Sequence, residues 1–285
     1  MSPISSELVD QICLVLRNCG QQAEYMADKE FEVFEKGPED YVTTIDASLD
    51  QQLRIAFSVL FPHDGVISEE DAQSRLQFQT GLTRLWCIDP LDGTEDFIHR
   101  GRNYAVMVGL LQHYQPISGW IYGPAHDVMY YGGPDWGLFQ ASADQPGVEI
   151  PIQEPTTFND QYCPIVIGNR DRQRYGEAIA DAIPASRFKS LGSFGLKVME
   201  VILGRASLYI YFNGRVKIWD TTGPIALAQA AGLTCCDLEG NPLGFSPNAV
   251  EVDTLTHTQP IVIGWPRYLD RWLDNLREAV ETVKS

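Results

Sequence analysis

Apolar residues recur at helical spacing from the start of the chain. Leu8, Ile12, Val15, Leu16 and Cys19 share one stripe with polar residues between them, which predicts an amphipathic helix. Lys36-Gly37-Pro38-Glu39-Asp40 breaks the pattern, and a second helix follows with Leu49, Leu53, Phe57 and Leu60 on one face. Pro62-His63-Asp64-Gly65 ends it as a turn. Short apolar runs then predict strands: Val66-Ile67-Ser68 leads into Glu69-Glu70-Asp71, and Leu85-Trp86-Cys87-Ile88 delivers Asp89. Residues 104–111, 117–122 and 128–131 read as an antiparallel meander, with turn residues at Gln115-Pro116 and Gly123-Pro124. The polar, aperiodic stretch 141–157 is the expected boundary between an N-terminal half, 1–145, and a C-terminal half, 155–285. That second half alternates: a strand at 165–167, a helix over 172–182, a helix over 194–203 and a strand at 208–212. A helix over 224–231 stops at Gly232, and a strand at 261–263 precedes a terminal amphipathic helix over 268–283. Mixed strands and helices in both halves predict a layered α/β/α architecture.

Composition changes this picture in one respect. Hydrophobic residues at 44% and charged residues at 21% describe a globular chain, but the net charge is −17. No cationic field exists to attract a nucleic acid or an anionic membrane, so neither is an expected partner. The six cysteines form no C-x-x-C pair and none lies in a C-x₅-R loop, which predicts buried free thiols in a reducing, cytoplasmic setting. Residues 1–20 lack the pattern of a signal peptide, and no apolar run approaches the ~20 residues that cross a bilayer. His99, His113 and His126 share no metal spacing with the acids and read as surface residues, while Tyr130, Tyr131 and Trp136 read as sheet packing.

Three acidic clusters carry the candidate chemistry, each placed at a strand end: Glu69-Glu70, then Asp89 with Asp92, then Asp220 after Trp219. Hard divalent cations take oxygen ligands, and rigid strand ends hold carboxylates at fixed separations. Asp89 and Asp92 flank Pro90, so both acids and the Leu91 carbonyl can face one point. Gly93 lets the backbone approach a ligand, and Thr94 is a candidate N-cap for a helix over 95–99, whose free N–H groups would hold an anion. Taken alone, Asp-x-x-Asp-Gly also fits a solvated turn. A calcium loop of the EF-hand type lacks its further ligands here.

Taken together, Ser68-Glu69-Glu70-Asp71, Asp89-Pro90-Leu91-Asp92-Gly93-Thr94 and Trp219-Asp220-Thr221-Thr222-Gly223 resemble the three motifs of the inositol monophosphatase superfamily in order and spacing. The resemblance runs from Lys36 to Gly232. It implies an α/β (α+β) five-layered αβαβα sandwich of the inositol monophosphatase / fructose-1,6-bisphosphatase type, and a lithium-sensitive, Mg²⁺-dependent phosphomonoesterase using two or three Mg²⁺ ions. It further implies that Glu69, Asp89 and the Leu91 carbonyl bind one metal, and Asp89, Asp92 and Asp220 a second. Glu69, Thr94 and Asp46 would be catalytic, the last two by orienting and deprotonating water. Gly93, Thr94, Gly192, Ser193, Lys197 and Asn213 would contact the substrate, a small phosphate ester. The family's frequent dimers extend the expectation to a homodimer.

Within the superfamily two branches stay open. The first two motifs, together with Pro116-Ile117-Ser118-Gly119 leading to Val128-Met129-Tyr130-Tyr131, look closer to the 3′(2′),5′-bisphosphate nucleotidases. Lys197, Arg215 and Lys217 could then hold a second phosphate. However, Glu95 replaces the lysine expected after Asp-Gly-Thr, and the segment before Asp46 lacks the usual Ser-Pro. Asn213 in turn replaces the glutamate that inositol monophosphatases carry. A catalytically silent metal- or phosphate-binding scaffold is the rival outside enzymes.

Overall fold

The computed structural model describes residues 4–37, 40–143 and 145–284. Of the predicted features, Pro38 and Glu39 in the break, Asp144 in the inter-half stretch, and Met1–Pro3 and Ser285 at the ends lie outside them. The first helix, α1 (Ser6–Ala27), is capped by Ser5, whose Oγ accepts from Leu8 N at 3.4 Å. A hairpin, β1 (Val33–Gly37) with β2 (Asp40–Thr43), follows where only a break was expected. The exposed strand β1 lacks the in/out alternation that reveals a half-buried strand. Helix α2 (Thr44–Leu60) starts in a capping box between Thr43 and Asp46.

Next come β3 (Gly65–Ser68), β4 (Arg84–Asp92), the short helix α3 (Thr94–Ile98), β5 (Ala105–Gln112), β6 (Gln115–Gly123) and β7 (Val128–Gly133). The meander is longer than predicted, continuing through β8 (Gly137–Ser142) and β9 (Gln145–Glu149). All residues of β9 are exposed, so no periodicity marked it. These strands form one seven-stranded sheet in sequential order, β3 parallel to β4 and the rest antiparallel. A five-stranded sheet follows, ordered β11-β10-β12-β16-β13, from β10 (Cys163–Ile167), β11 (Ser186–Lys189), β12 (Leu208–Tyr211), β13 (Thr234–Cys236) and β16 (Ile261–Gly264). The hairpin β14 (Val250–Glu251) and β15 (Thr256–His257) stands apart. Helices α4 (Asn169–Ala182), α5 (Phe194–Ile202), α6 (Ile218–Ala230) and α7 (Pro266–Lys284) complete the chain.

Alternation along the seven-stranded sheet sorts its two faces. Trp86, Ile88, Val106, Val108 and Trp120 pack with α1 and α2, whereas Cys87, Met107, Leu111 and Ile121 join the core containing α5 and α6. Helices α5 and α6 are thereby sandwiched between the two sheets, and α4 and α7 cover the far side of the second. The layers are αβαβα, as the resemblance implied. All six cysteines are buried and free. Among the described residues, no helix is long and apolar enough to cross a membrane.

One contact sets the height of α6. A Cβ on Gly119 would collide with the main chain of Gly223, and one on Gly109 with Gly223 N and Thr222. Three glycines thus let the helix backbone lie directly on β5 and β6.

Candidate metal centre and its flanking cavities

Strand β4 ends by delivering Asp89, Leu91 and Asp92 to the seam between the two sheets. Asp220 arrives from the other side, and here the structure corrects the strand-end placement. Helix α6 begins at Ile218, not near Pro224, so Asp220 lies in the helix's first turn, its Oδ2 accepting from Lys217 N at 2.6 Å. Pro224 sits inside the helix and leaves the carbonyl four residues before it, that of Asp220, without a helical donor. Oxygens of Asp89, Asp92 and Asp220 lie within 4.8 Å of one another. Glu69, at the end of β3, is outside this triplet but on the wall of the same cavity, about 210 Å³, with Leu91, Gly93, Thr94, Glu95 and Gly192.

Gathering acids this way shifts their titration. Burial, then repulsion from Glu69, Asp92 and Asp220, raises Asp89 far above the usual carboxylate range. Burial and Glu69 push Asp220 up to about 7, against the pull of Lys217. Asp92 is also raised by burial, opposed by Ser193 and by the main-chain N–H groups of Phe194 and Gly195. Glu70 rises to about 7 through burial and its neighbour Glu69. An all-oxygen set whose charges repel one another in a buried cavity fits a hard divalent cation such as Mg²⁺.

Around this centre the remaining predicted residues take distinct places. Asp46, in the first turn of α2, is buried; its Oδ2 accepts from Thr43 N at 2.8 Å and Thr43 Oγ1 at 2.5 Å. Its other oxygen, Oδ1, lies 3.1 Å from Thr94 Oγ1, which is also 3.0 Å from Leu91 O. Thr94 is therefore not the N-cap of α3. Gly93 holds that position with φ 94°, where a Cβ would come within 2.9 Å of Asn103 O and 3.0 Å of Ser193 N. Ser193 is fully buried behind Asp92, its Oγ donating to Asp92 Oδ2, which also accepts from Gly195 N at 2.9 Å. Lys197 is buried too, with Nζ donating to Gly192 O at 3.0 Å; desolvation lowers its pKa, while Asp92, Asp171 and Asp220 oppose the shift.

Two larger cavities flank the carboxylates. One, about 450 Å³, runs from Glu69, Asp92 and Asp220 past Phe194 and Tyr209 and is lined by Arg170, Lys197, Arg215 and Lys217. The other, about 470 Å³, extends from Gly93 to Asn213, whose Oδ1 is buried without a protein partner. His99 lines its edge as an exposed residue, while His113 and His126 are exposed elsewhere.

Sequence reasoning missed three contributors. Lys36, seen only as part of a break, reaches across from β1 to Glu69 Oε1 at 3.1 Å and Glu70 Oε1 at 2.6 Å. Arg170 lines both larger cavities. Its signal was present, because it follows the carboxyl end of β10, a strand of the parallel trio where α/β sheets place ligands. Asp171, fully buried beside it, accepts from Phe212 N at 2.8 Å and so holds the turn that carries Asn213.

Fold and centre together define an α/β protein that gathers oxygen ligands for a hard cation at the seam of two sheets. The inositol monophosphatase family model matches residues 6–277, and the chain belongs to that family. It is 32% identical over 249 residues to the 3′(2′),5′-bisphosphate nucleotidase CysQ of Escherichia coli strain K12, covering 84% of this chain and 94% of that one. The extragenic suppressor protein suhB from Bartonella henselae shares the fold with a TM-score of 0.77 at 20% identity, over 95% of this chain and 99% of the other. A solved IMPase/NADP phosphatase complexed with Mg²⁺ and phosphate matches with a TM-score of 0.74 at 20% identity, over 94% of each chain. The protein is a phosphoric monoester hydrolase, and the scaffold reading falls. Mg²⁺ is the family's metal, and the acidic cluster here is consistent with it.

Proposed function

We propose that the protein removes one phosphate from a 3′(2′),5′-bisphosphate nucleotide such as 3′-phosphoadenosine 5′-phosphate. The observation that carries this reading is the cavity beside Asp92 and Asp220, where Arg170, Lys197, Arg215 and Lys217 gather in a chain of net charge −17. Four cations around a recess adjoining the carboxylates fit a second phosphate, and the half-buried ring of Tyr211 on the cavity wall fits the organic part. Similarity to CysQ supports the same choice.

Asp89, Leu91 O, Asp92, Asp220 and Glu69 would hold Mg²⁺, which when bound neutralises phosphate charge and lowers the pKa of water. Thr94 and Asp46 supply the base. Thr43 occupies Asp46 Oδ2, leaving Oδ1 to accept the Thr94 hydroxyl proton. The Thr94 oxygen then accepts from water, and burial, which raises the Asp46 pKa, strengthens that carboxylate as a proton acceptor. Gly93 and Thr94 line the carboxylate cavity, and their N–H groups would hold the phosphate there, Gly93 being free to adopt the left-handed conformation. As the water oxygen bonds to phosphorus, the ester bond opposite breaks, the departing alkoxide takes a proton from solvent water, and Asp46 gives the proton it received back to solvent.

Asn213 favours a second reading, inositol 1-phosphate, because its unpartnered Oδ1 would accept a ring hydroxyl in the other cavity. The ratio of kcat/KM on 3′-phosphoadenosine 5′-phosphate and inositol 1-phosphate, with Mg²⁺, separates the two. The double variant R215A/K217A should lose about tenfold or more on the bisphosphate and little on inositol 1-phosphate. A wild-type preference for inositol 1-phosphate sinks the nucleotide reading.

A further inference from the structure

Glu69 differs from the other acids in how it is supported. Asp89 and Asp92 share one interior strand, and Asp220 rides on a helix pressed against β5 and β6. Glu69 instead follows β3, the edge strand of its sheet, and is held to the neighbouring strand by Glu69 N donating to Ile88 O at 3.1 Å. An edge strand has a partner on one side only, so its last residue depends on whatever braces the other.

On that side Ser74 and Gln77 of the 3₁₀ segment Ala72–Gln79 bond the main chain of Ser68 and Val66, and Lys36 bonds the Glu69 side chain. Arg75 of the same segment braces the Glu69 main chain. Its Nη2 donates to the main-chain oxygen of Glu69 at 3.2 Å. Its guanidinium carbon lies 5.1 Å from the ring centroid of Trp219, within cation–π range. Trp219 is 1% exposed and immediately precedes Asp220. One side chain thus joins the first acidic element to the third, through the main chain of one and the ring beside the other. Lys217 Nζ, 5.5 Å from the same ring, continues the link to the cation-lined cavity. Arg75 lines neither that cavity nor the carboxylate cavity.

We propose that Arg75 is a positioning residue that sets the separation of the Glu69 and Asp220 carboxylates, and with it the affinity for Mg²⁺. The inference rests on the reading that these acids hold the metal. A planar guanidinium can bond a carbonyl while stacking on an indole, and a lysine ammonium cannot do both equally well.

Calorimetric titration of Mg²⁺ into the substrate-free protein tests it. R75A should weaken binding about tenfold and R75K about threefold, in the range seen when a support behind a ligand is removed. Saturating Mg²⁺ should return kcat of both variants towards wild type, so the loss appears in the Mg²⁺ requirement and not in the chemical step. Wild-type Mg²⁺ affinity in a folded R75A overturns the proposal, as does a kcat loss that Mg²⁺ does not restore. If R75A fails to fold, R75K decides alone, and wild-type affinity there is equally fatal. Absence of Mg²⁺ binding by the wild type would instead overturn the metal reading beneath it.

Discussion

Replacing Gly109 by alanine perturbs the metal centre without touching any of its ligands. The new Cβ would lie 2.6 Å from Thr222 Cγ2 and 2.7 Å from the Thr222 carbonyl carbon, and nearer still to Gly223 N. Carbon atoms pack comfortably at ~3.5–4.0 Å, so α6 must retreat from the sheet by about 1 Å. Overpacking of this kind costs about 1–3 kcal/mol, and helix backbone yields less readily than a side-chain tip, which places G109A near the upper end. Asp220 lies within a turn of Gly223 and moves with the helix. A misplacement of about 1 Å costs on the order of 100-fold in rate, so kcat/KM should fall by that factor. The control is G123A in the same sheet, where the nearest atoms are Val128 Cγ1 at 3.5 Å and Leu196 Cδ2 at 3.6 Å and φ is −94°. It should be neutral or stabilise by about 0.4–1 kcal/mol through the unfolded chain. Urea unfolding gives the stabilities and phosphate release the rates. A G109A protein with the wild-type urea midpoint and kcat/KM refutes the reasoning.

Two further outcomes follow from buried titrating groups. Burial lowers the His257 pKa to about 4 from 6.5, and Nε2 lies 2.8 Å from Thr221 Oγ1, so the folded state favours the neutral ring. Between those values the unfolded chain binds more protons, and stability should fall by up to about 3 kcal/mol as pH drops from 6.5 towards 4. A H257Q variant whose acid unfolding profile matches wild type contradicts this. The acids at the centre have the opposite sign. Asp220, pushed up to about 7, favours protonation in the fold, so the metal-free protein loses stability as pH rises through 7. Mg²⁺ should therefore raise Tm more at pH 8 than at pH 6, where protons compete for the same oxygens. A shift equal at the two values by thermal scanning counts against Asp220 as its ligand.

What was legible in the chain divides along physical lines. Helices α1, α2 and α7 bury one stripe over many turns, and that period survives in the sequence. Strands β1 and β9 are exposed along most or all of their length, so nothing alternates and neither could be read. The start of α6 was misplaced for a different reason. Pro224 looks like a first-turn residue, yet the helix accepts it in its interior and begins at Ile218. The acids themselves were legible because each motif is local. Their neighbours were not: Lys36 and Arg75 bond Glu69, and Arg170 lines the flanking cavities, from segments that only tertiary folding brings together.

Net charge was the least faithful guide to the site. A value of −17 describes the whole surface, whereas a phosphate ester meets the field inside one recess. There, burial favours proton uptake by Asp89, Asp92 and Asp220, which weakens their negative field until a cation binds. Four basic side chains line the adjoining cavity, and Lys36 sits against Glu69 and Glu70. An acidic surface and an anion-accepting site are compatible because charge acts over about 8–10 Å in salt, and these cations line the same recess as Glu69, Asp92 and Asp220. The same locality explains how Asp220, far along the chain from Asp89, joins it. Gly223, one turn on from Asp220, contributes to that distance only together with Gly109 and Gly119 on the sheet, because all three lack the side chains that would keep helix and sheet apart.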